Sequence, residues 1–143
     1  PIYKLAKSKG MKTKVHIGEF SNHNTIEEAI DILNPIEIQH GIRSVDSKNT
    51  LRKIVDHNIR LNVCPQSNIA LGASDNYESH PIRVLFEEGI KFSINTDDFL
   101  LFDASISNQY VSLVQHRVFT LEEIKSINDD ALTNSLKSIN KTV

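Results

Sequence analysis

Hydrophobic and polar residues follow a pattern that occurs four times along this chain: a short apolar segment, a polar cluster, then an amphipathic segment. The apolar segments are rich in Val, Ile or Phe, as expected of strands, and each stops at polar residues. They are TKVHIGE (13–19), IEIQHG (36–41), RLNVCPQSN (60–68) and KFSINTDD (91–98). Strands that alternate with helices favour parallel pairing with right-handed crossovers, so the pattern predicts an α/β fold.

Amphipathic segments lie between and after the predicted strands. In NTIEEAIDILN, the residues Ile26, Ile30 and Leu33 fall on one helical face. Thr120 and Glu123 have the spacing of a capping box, so they predict a helix start. Helices are therefore expected at 24–34, 49–58, 80–89, 105–118 and 120–140.

Polar, reactive residue types stand at the end of each predicted strand, whereas no glycine-rich phosphate loop follows any of them. The lack of that loop disfavours a doubly wound nucleotide-binding sheet. Reactive side chains at the carboxyl ends of successive strands are typical of a (β/α)8 barrel, whose active site lies on that face. The chain has four strand–helix units, and a closed barrel needs about twice as many strands. We therefore predict half of a TIM-type barrel with additional terminal helices.

Composition and charge narrow the function classes. The chain has 143 residues, of which 39% are hydrophobic and 24% charged, as in ordinary globular domains. A net charge of −2 without a run of Lys or Arg disfavours nucleic acid and membranes as partners. The single cysteine, Cys64, excludes an internal disulfide, and no apolar run of about 18 residues occurs, so a cytoplasmic location is expected. Because the chain begins with Pro1 and not with Met, we expect it to be part of a longer protein.

Residue types suited to metal binding and acid–base chemistry collect at the four strand ends. Imidazole and carboxylate groups suit a catalytic zinc with one position open for water, and a separate carboxyl group can donate a proton. This combination indicates hydrolytic chemistry. The clusters are His16, Gly18 and Glu19; His40 and Gly41; Cys64, Pro65, Ser67 and Asn68; and Asn95, Thr96, Asp97 and Asp98.

Taken together, these clusters resemble the adenosine deaminases of the metal-dependent amidohydrolase superfamily. The resemblance rests on HIGE, QHG, CPQSN, the HP at 80–81 and INTDD, in the family's order and spacing, over essentially the entire chain. It implies that residues 1–143 are the carboxyl-terminal half of a deaminase barrel domain. The implied reaction is zinc-dependent hydrolysis of the exocyclic amine of adenosine or a related 6-aminopurine nucleoside, which gives the 6-oxo product and ammonia.

The resemblance also implies a role for each matched residue. Glu19 corresponds to the group that protonates the purine ring nitrogen beside the carbon under attack. His40 corresponds to the residue that orients the attacking hydroxide and stabilises charge as it adds, and Asp98 to the acceptor that holds the far ring nitrogen. The implied catalytic residues are Glu19, His40 and Asp97, the substrate-binding residues are Gly18, Glu19 and Asp98, and the zinc ligands are His16 and Asp97.

The sequence departs from the family pattern in three places. The family takes two more zinc ligands from a His-x-His at the end of its first strand, and this chain contains no His-x-His. Phe99 stands where the family commonly has the Pro of DDP, and Gln39 replaces the first Gly of GHG. The changes at Phe99 and Gln39 lie beside functional positions. They leave the identity of the purine substrate less certain than the type of reaction.

The same residues also have structural interpretations. Asp97 and Asp98 could cap the following helix, since carboxylates favour helix N-termini. His40 could close a turn with Gly41. The remaining structural interpretations are His80 as a helix start, Cys64 as a small buried residue, and Ser67 and Asn68 as hydrogen-bonding supports of their loop.

Two functions follow from this pattern. The first is deamination of adenosine, or of a related substrate such as free adenine, by a complete enzyme of which this chain is part. The second is an inactive half-barrel or scaffold that pairs with the amino-terminal half of the same enzyme or with a second copy, because a half-barrel leaves two sheet edges open. An inactive barrel that only binds nucleosides is disfavoured, since each catalytic position covered here has the expected residue type. The chain alone is expected to show weak or absent deamination.

Overall fold

The computed structural model describes the backbone of residues 2–139 and the side chains of residues 2–133. The strands are β1 (Lys14–Ile17), β2 (Glu37–His40), β3 (Arg60–Val63) and β4 (Phe92–Ile94). The helices are α1 (Ile2–Ser8), α2 (His23–Leu33), α3 (Lys48–Asp56), α4 (Pro65–Ala70), α5 (Ile82–Glu87), α6 (Phe99–Phe102), α7 (Ile106–Gln115) and α8 (Leu121–Ile139). A short 3-10 helix, Ile42–Asp46, connects β2 to α3.

The four strands form one parallel sheet in the order β1-β2-β3-β4, so each strand pairs with the next one in sequence. At one level of the sheet, Val15 lies opposite Ile38, Ile38 opposite Leu61, and Leu61 opposite Phe92. Parallel neighbours in sequence order, each pair joined by a helical crossover, are the arrangement found in a (β/α)8 barrel. The prediction of four strand–helix units of a half-barrel, with terminal helices, is confirmed.

One face of the sheet is apolar and packs against the helices. Ile38 and Leu61 are completely buried, and Phe92 is nearly so. They belong to a single hydrophobic core together with Ile26 of α2 and Leu85 of α5. Burying one such side chain contributes roughly 1.5–3 kcal/mol. The core therefore fixes the strands, and with them the loops that follow their carboxyl ends.

The opposite face of the sheet is polar, although strands of parallel sheets are usually apolar on both sides. This face lines a cavity of about 680 Å³. Helix α8 also lines this cavity, and its Ala131 carbonyl oxygen accepts a hydrogen bond from Arg60 Nη1 at 3.1 Å. The polar strand residues that line the cavity are Lys14, His16, Glu37, Gln39, His40, Arg60, Asn62 and Ser93.

Side-chain caps explain where several helices begin. Asn22 Oδ1 accepts a hydrogen bond from the Thr25 amide at 3.3 Å and caps α2. At α8 the Glu123 amide donates to Thr120 Oγ1 at 3.1 Å, while the Thr120 amide donates to Glu123 Oε2 at 2.8 Å. The capping box predicted from the spacing of Thr120 and Glu123 is therefore confirmed.

One local prediction is wrong, and one short helix was not predicted. The third strand ends at Val63, because Pro65 has no N–H for the ladder and instead takes the first turn of α4. The segment 64–68, predicted to extend the strand, is therefore mostly helical. The short helix α6 directly follows Asp98 and was not predicted, since four residues are too few to show a helical period.

Among the helices of the described residues, none has both the length and the apolar character that a membrane span requires.

Candidate active site

The candidate site lies where the strands end, at the rim of the polar cavity. His16, His40, Cys64 and Asp97 all contribute to the cavity lining. The His16 and His40 rings have centroids 5.8 Å apart. The parallel sheet therefore brings together residues that are separated by more than 20 positions in sequence, as the strand-end pattern predicted.

Glu19 follows β1 after a tight turn at Gly18. The positive φ of Gly18, 74°, is one that other residues rarely adopt, and an added Cβ would lie 2.5 Å from Ile26 Cδ1. The Gly18 amide donates to Ser21 Oγ at 3.0 Å. Glu19 Oε1 accepts a hydrogen bond from Asn68 Nδ2 at 2.6 Å. The turn thus directs the Glu19 carboxyl group toward α4 at the rim, and the predicted substrate contact of Gly18 stays a prediction.

His40 ends β2 and is 5% exposed. Its Nδ1 lies 3.1 Å from Asn68 Nδ2 and 3.6 Å from Glu19 Oε1. Burial lowers the pKa of His40, an effect that Glu19 and Asp97 oppose and His16 reinforces, and the net pKa is below the ordinary value. At neutral pH His40 is therefore a neutral imidazole in contact with an acid and an amide.

Asp97 and Asp98 follow β4 and are used differently. Ser67 Oγ donates a hydrogen bond to Asp97 Oδ2 at 2.7 Å, and Asp97 lines the cavity. Asp98 Oδ1 accepts from the Leu101 amide at 3.1 Å and so caps α6. The capping interpretation therefore applies to Asp98, whose predicted role in holding the purine stays a prediction.

The donor set at the rim fits part of a zinc site. One ligand atom each from His40, Cys64 and Asp97 lie within 4.8 Å of one another, the only such group of three among the described residues. Burial, with added repulsion from Asp97 and Glu19, raises the pKa of the Cys64 thiol to about 12, which favours the neutral thiol over the thiolate that binds metals. Imidazole and carboxylate remain as the suitable ligands, and zinc usually takes three or four of them from a protein. His16 is not in this group of three, so its assignment with Asp97 as two zinc ligands of a larger set stays a prediction.

The floor of the cavity, toward the amino ends of the strands, consists of paired charges. Glu37 Oε2 accepts from Lys14 Nζ at 2.7 Å and from Asn62 Nδ2 at 3.0 Å, and Glu37 Oε1 accepts from Arg60 Nη2 at 3.1 Å. Burial raises the pKa of Glu37, but these hydrogen bonds and the positive charges outweigh it, so the net pKa lies below the ordinary value. Glu37 therefore remains ionised and satisfied.

The sequence model of the adenosine deaminase family matches residues 1–142. The chain belongs to the adenosine deaminase family. The adenosine deaminase of Plasmodium knowlesi is 38% identical over 137 residues, which cover 94% of this chain and 38% of that protein. The adenine deaminase of Psychrobacter cryohalolentis is 31% identical over 137 residues, which cover 96% of this chain and 41% of that protein.

Solved structures agree with this membership. The crystal structure of an adenine deaminase from Arthrobacter aurescens superposes with a TM-score of 0.85 at 29% identity and covers 90% of this chain and 39% of that one. An amidohydrolase from Burkholderia ambifaria with bound Zn has a TM-score of 0.77 at 26% identity and covers 87% of this chain and 35% of that one. The chain thus spans about 40% of the length of these deaminases.

Asn68 has a more central position in the candidate site than its sequence pattern predicted. Asn68 was predicted only as a support of its loop, yet it is fully buried and its amide contacts both Glu19 and His40. His80, predicted as a helix start, is 2% exposed, and its Nε2 lies 3.2 Å from Asn68 Oδ1. The available signal was the position of Asn68 in CPQSN, directly after a strand end.

Proposed function

We propose that this chain provides the acid–base half of a zinc-dependent deaminase that converts adenosine, or a related 6-aminopurine nucleoside, to the 6-oxo product and ammonia. The observation that carries the proposal is the contact of Glu19 and His40 with each other and with Asn68, at a rim that Asp97 shares. An acid and a neutral imidazole side by side are the groups that hydrolysis of an amidine needs.

Each of these side chains has one task in the proposed reaction. Glu19, protonated, donates its proton to the ring nitrogen next to the carbon that bears the amine, so that this carbon becomes electrophilic. His40, as a neutral imidazole, donates a ring N–H hydrogen bond to the oxygen of the attacking water, which orients this oxygen and stabilises charge as it adds. The exocyclic amine then leaves as ammonia with the protons supplied by the water and the acid. Overall one water is consumed, one carbon–nitrogen bond breaks and one carbon–oxygen bond forms.

His16 and Asp97 would hold the zinc, together with ligands from outside this chain. When bound, zinc lowers the pKa of a water to about 7 and so supplies a nucleophile at neutral pH. The hydrogen bond from Ser67 Oγ to Asp97 Oδ2 fixes the carboxylate, as bonds from outside the ligand shell commonly do. The Burkholderia ambifaria amidohydrolase structure, which contains bound Zn, supports zinc as the metal.

The proposal is tested by replacing Glu19 with Gln in the complete enzyme, this chain together with the strands that close its barrel. Loss of the proton donor should lower turnover by about 10²- to 10⁴-fold, the usual contribution of general acid–base catalysis, with zinc content unchanged. Ammonia release and metal analysis give the two values. Glu28→Gln, the same change at an exposed position of α2, is the matched control. Unaltered turnover in Glu19→Gln would show that the assignment is wrong.

A deaminase of free adenine is the second candidate, because the relatives from Psychrobacter cryohalolentis and Arthrobacter aurescens are adenine deaminases. The two candidates share the chemistry at the purine ring and differ in whether a sugar must be bound. Comparing kcat/KM for adenosine and for adenine in the same preparation decides between them. A higher value for adenine would replace the nucleoside as the proposed substrate.

The proposed activity also needs partners for the edges of the sheet. Among the described strands, β1 and β4 are edges, with backbone groups free to pair with further strands. These strands would come from the amino-terminal half of the same enzyme or from a second copy of this chain. Intact-mass analysis of the purified material under denaturing conditions tests this. A second species with the remaining strands predicts activity, and a single 16.1 kDa species predicts weak or absent deamination.

A further inference from the structure

We infer that His80, which does not line the cavity, is a positioning residue: through the side-chain amide of Asn68 it fixes which ring nitrogen of His40 carries the proton. This inference deepens the proposed function and rests on it for the catalytic consequence. The hydrogen-bond directions themselves can be measured without any activity.

The first step is the state of His80. The Ile82 amide, which can only donate, lies 3.0 Å from His80 Nδ1, so this nitrogen must be the acceptor and Nε2 must carry the proton. Burial lowers the pKa of His80 to about 4, so the ring is neutral at neutral pH and this arrangement persists. The backbone of α5 therefore selects a single tautomer of His80.

The second step is the orientation of Asn68. The Nε2–H group of His80 donates a hydrogen bond to Asn68 Oδ1 at 3.2 Å. The NH2 group of the Asn68 amide must therefore face away from His80. There Nδ2 donates to Glu19 Oε1 at 2.6 Å. A flipped amide would oppose its NH2 group to the His80 donor. His80 therefore fixes the orientation, and Asn68 is fully buried, so water offers no alternative partner.

The third step reaches His40. Asn68 Nδ2 lies 3.1 Å from His40 Nδ1, so in the neutral ring Nδ1 accepts and Nε2 carries the proton. If the amide of Asn68 turned over, its carbonyl oxygen would face His40 and favour the proton on Nδ1 instead. The tautomer of His40 is therefore set by a chain of directional hydrogen bonds that starts at the backbone of Ile82.

Two amide substitutions of His80 separate positioning from packing. In His80→Gln, the side-chain NH2 group can replace the Nε2–H donor to Asn68. In His80→Asn, the shorter side chain can replace the Nδ1 acceptor for the Ile82 amide but cannot reach Asn68. Both remove the buried ring and both leave a neutral amide, so a purely structural role predicts equal effects for the two variants.

The measurement is the ¹⁵N NMR spectrum of the histidine ring nitrogens in the complete protein freed of zinc, with the His40 signals assigned from a His40→Gln sample. We expect the proton on Nε2 of His40 in the unmodified protein and in His80→Gln, and a shift toward Nδ1 in His80→Asn. With zinc restored, kcat of His80→Asn should fall by about 10- to 100-fold, with a small change in KM, as for other residues that orient an active site. His80→Gln should retain most of kcat.

Equal spectra for the two variants would overturn the inference and leave His80 as a packing residue. If His80→Asn does not fold, the unmodified protein still decides, because a proton on Nδ1 of either His80 or His40 contradicts the hydrogen-bond chain. If the tautomers behave as expected but no preparation deaminates adenosine or adenine, the positioning stands and the proposed function fails.

Discussion

The floor and the rim of the cavity are built on the same four strands. On the floor, charged side chains pair with opposite charges, whereas the acids at the rim contact neutral side chains. On the floor, both oxygens of Glu37 are occupied by Lys14, Arg60 and Asn62. At the rim, within the part of the chain that the structure describes, no Lys or Arg forms an ion pair with Glu19 or Asp97, and neutral side chains hold them instead. Removing one partner of a buried charge pair destabilises a fold, whereas acids beside a neutral imidazole are typical of functional sites.

Positions only two or three residues apart on the same strand belong to the floor or to the rim. Strand β2 contributes Glu37 to the floor and His40 to the rim, and β1 contributes Lys14 to the floor and His16 to the rim. The floor is a closed network whose groups satisfy each other. The rim leaves reactive groups for a metal and a substrate. Perturbing the floor should change stability, and perturbing the rim should change catalysis or its pH dependence.

The pH dependence of stability should distinguish the two regions most strongly. The pKa of His80, behind the rim, is lowered from 6.5 to about 4, so as the pH falls the unfolded chain takes up this proton first. Stability should therefore fall between pH 6.5 and about 4, by about 3 kcal/mol at 1.36 kcal/mol per unit, and His40 adds to the fall in the same direction. The pKa of Glu37 is lowered from 4.5, so the floor loses stability only below that pH.

Denaturant unfolding of the complete protein at a series of pH values measures this dependence. His80→Gln should flatten the decline above pH 4.5 by about 3 kcal/mol, since an amide does not titrate there. His57→Gln, the same substitution at the exposed end of α3, should leave the decline intact. If stability declined equally steeply in His80→Gln and in the unmodified protein, the loss of stability in this pH range would not be due to His80.

Glu37→Gln should break the floor and spare the rim. The change leaves Lys14 and Arg60 without the carboxylate between them, and Arg60 is the more buried of the two, at 17% side-chain exposure against 55%. We expect a loss of about 1–3 kcal/mol in the free energy of unfolding, the penalty for leaving a buried polar group unpaired, and little change in turnover. Denaturant unfolding and ammonia release measure the two quantities.

Glu28→Gln on α2 is the matched control for that variant, since its side chain is exposed. If turnover of Glu37→Gln fell as far as that of Glu19→Gln, the division between floor and rim would be wrong. If the free energy of unfolding did not change, the ion pairs of the floor would make no measurable contribution to stability, as is the case for many exposed ion pairs.

Local sequence patterns predicted the strands and the rim residues because both depend on short-range signals. Val, Ile and Phe mark the strands, and polar residues directly after them fall at one edge of a parallel sheet. The role of Asn68 depends instead on its contact with Glu19, which is 49 residues away. His80 acts on Asn68 through a tautomer fixed by the Ile82 amide. Such directional contacts between distant segments carry no periodic signal, so only the structure shows them.

The smallest expected effect concerns Cys64, which lies at the rim but should not act as a ligand. Cys64→Ala should leave the zinc content of the complete enzyme unchanged, because His16 and Asp97 are the proposed ligands and burial raises the pKa of the Cys64 thiol to about 12 in the metal-free site. The loss of one small buried group should cost about 1 kcal/mol of stability. Metal analysis and denaturant unfolding test both statements, with Asp97→Asn as the control that loses zinc. Zinc loss in Cys64→Ala would instead favour His40, Cys64 and Asp97, which lie within 4.8 Å of one another, as the ligands. His40 would then hold the metal, and another residue at the rim would have to orient the water.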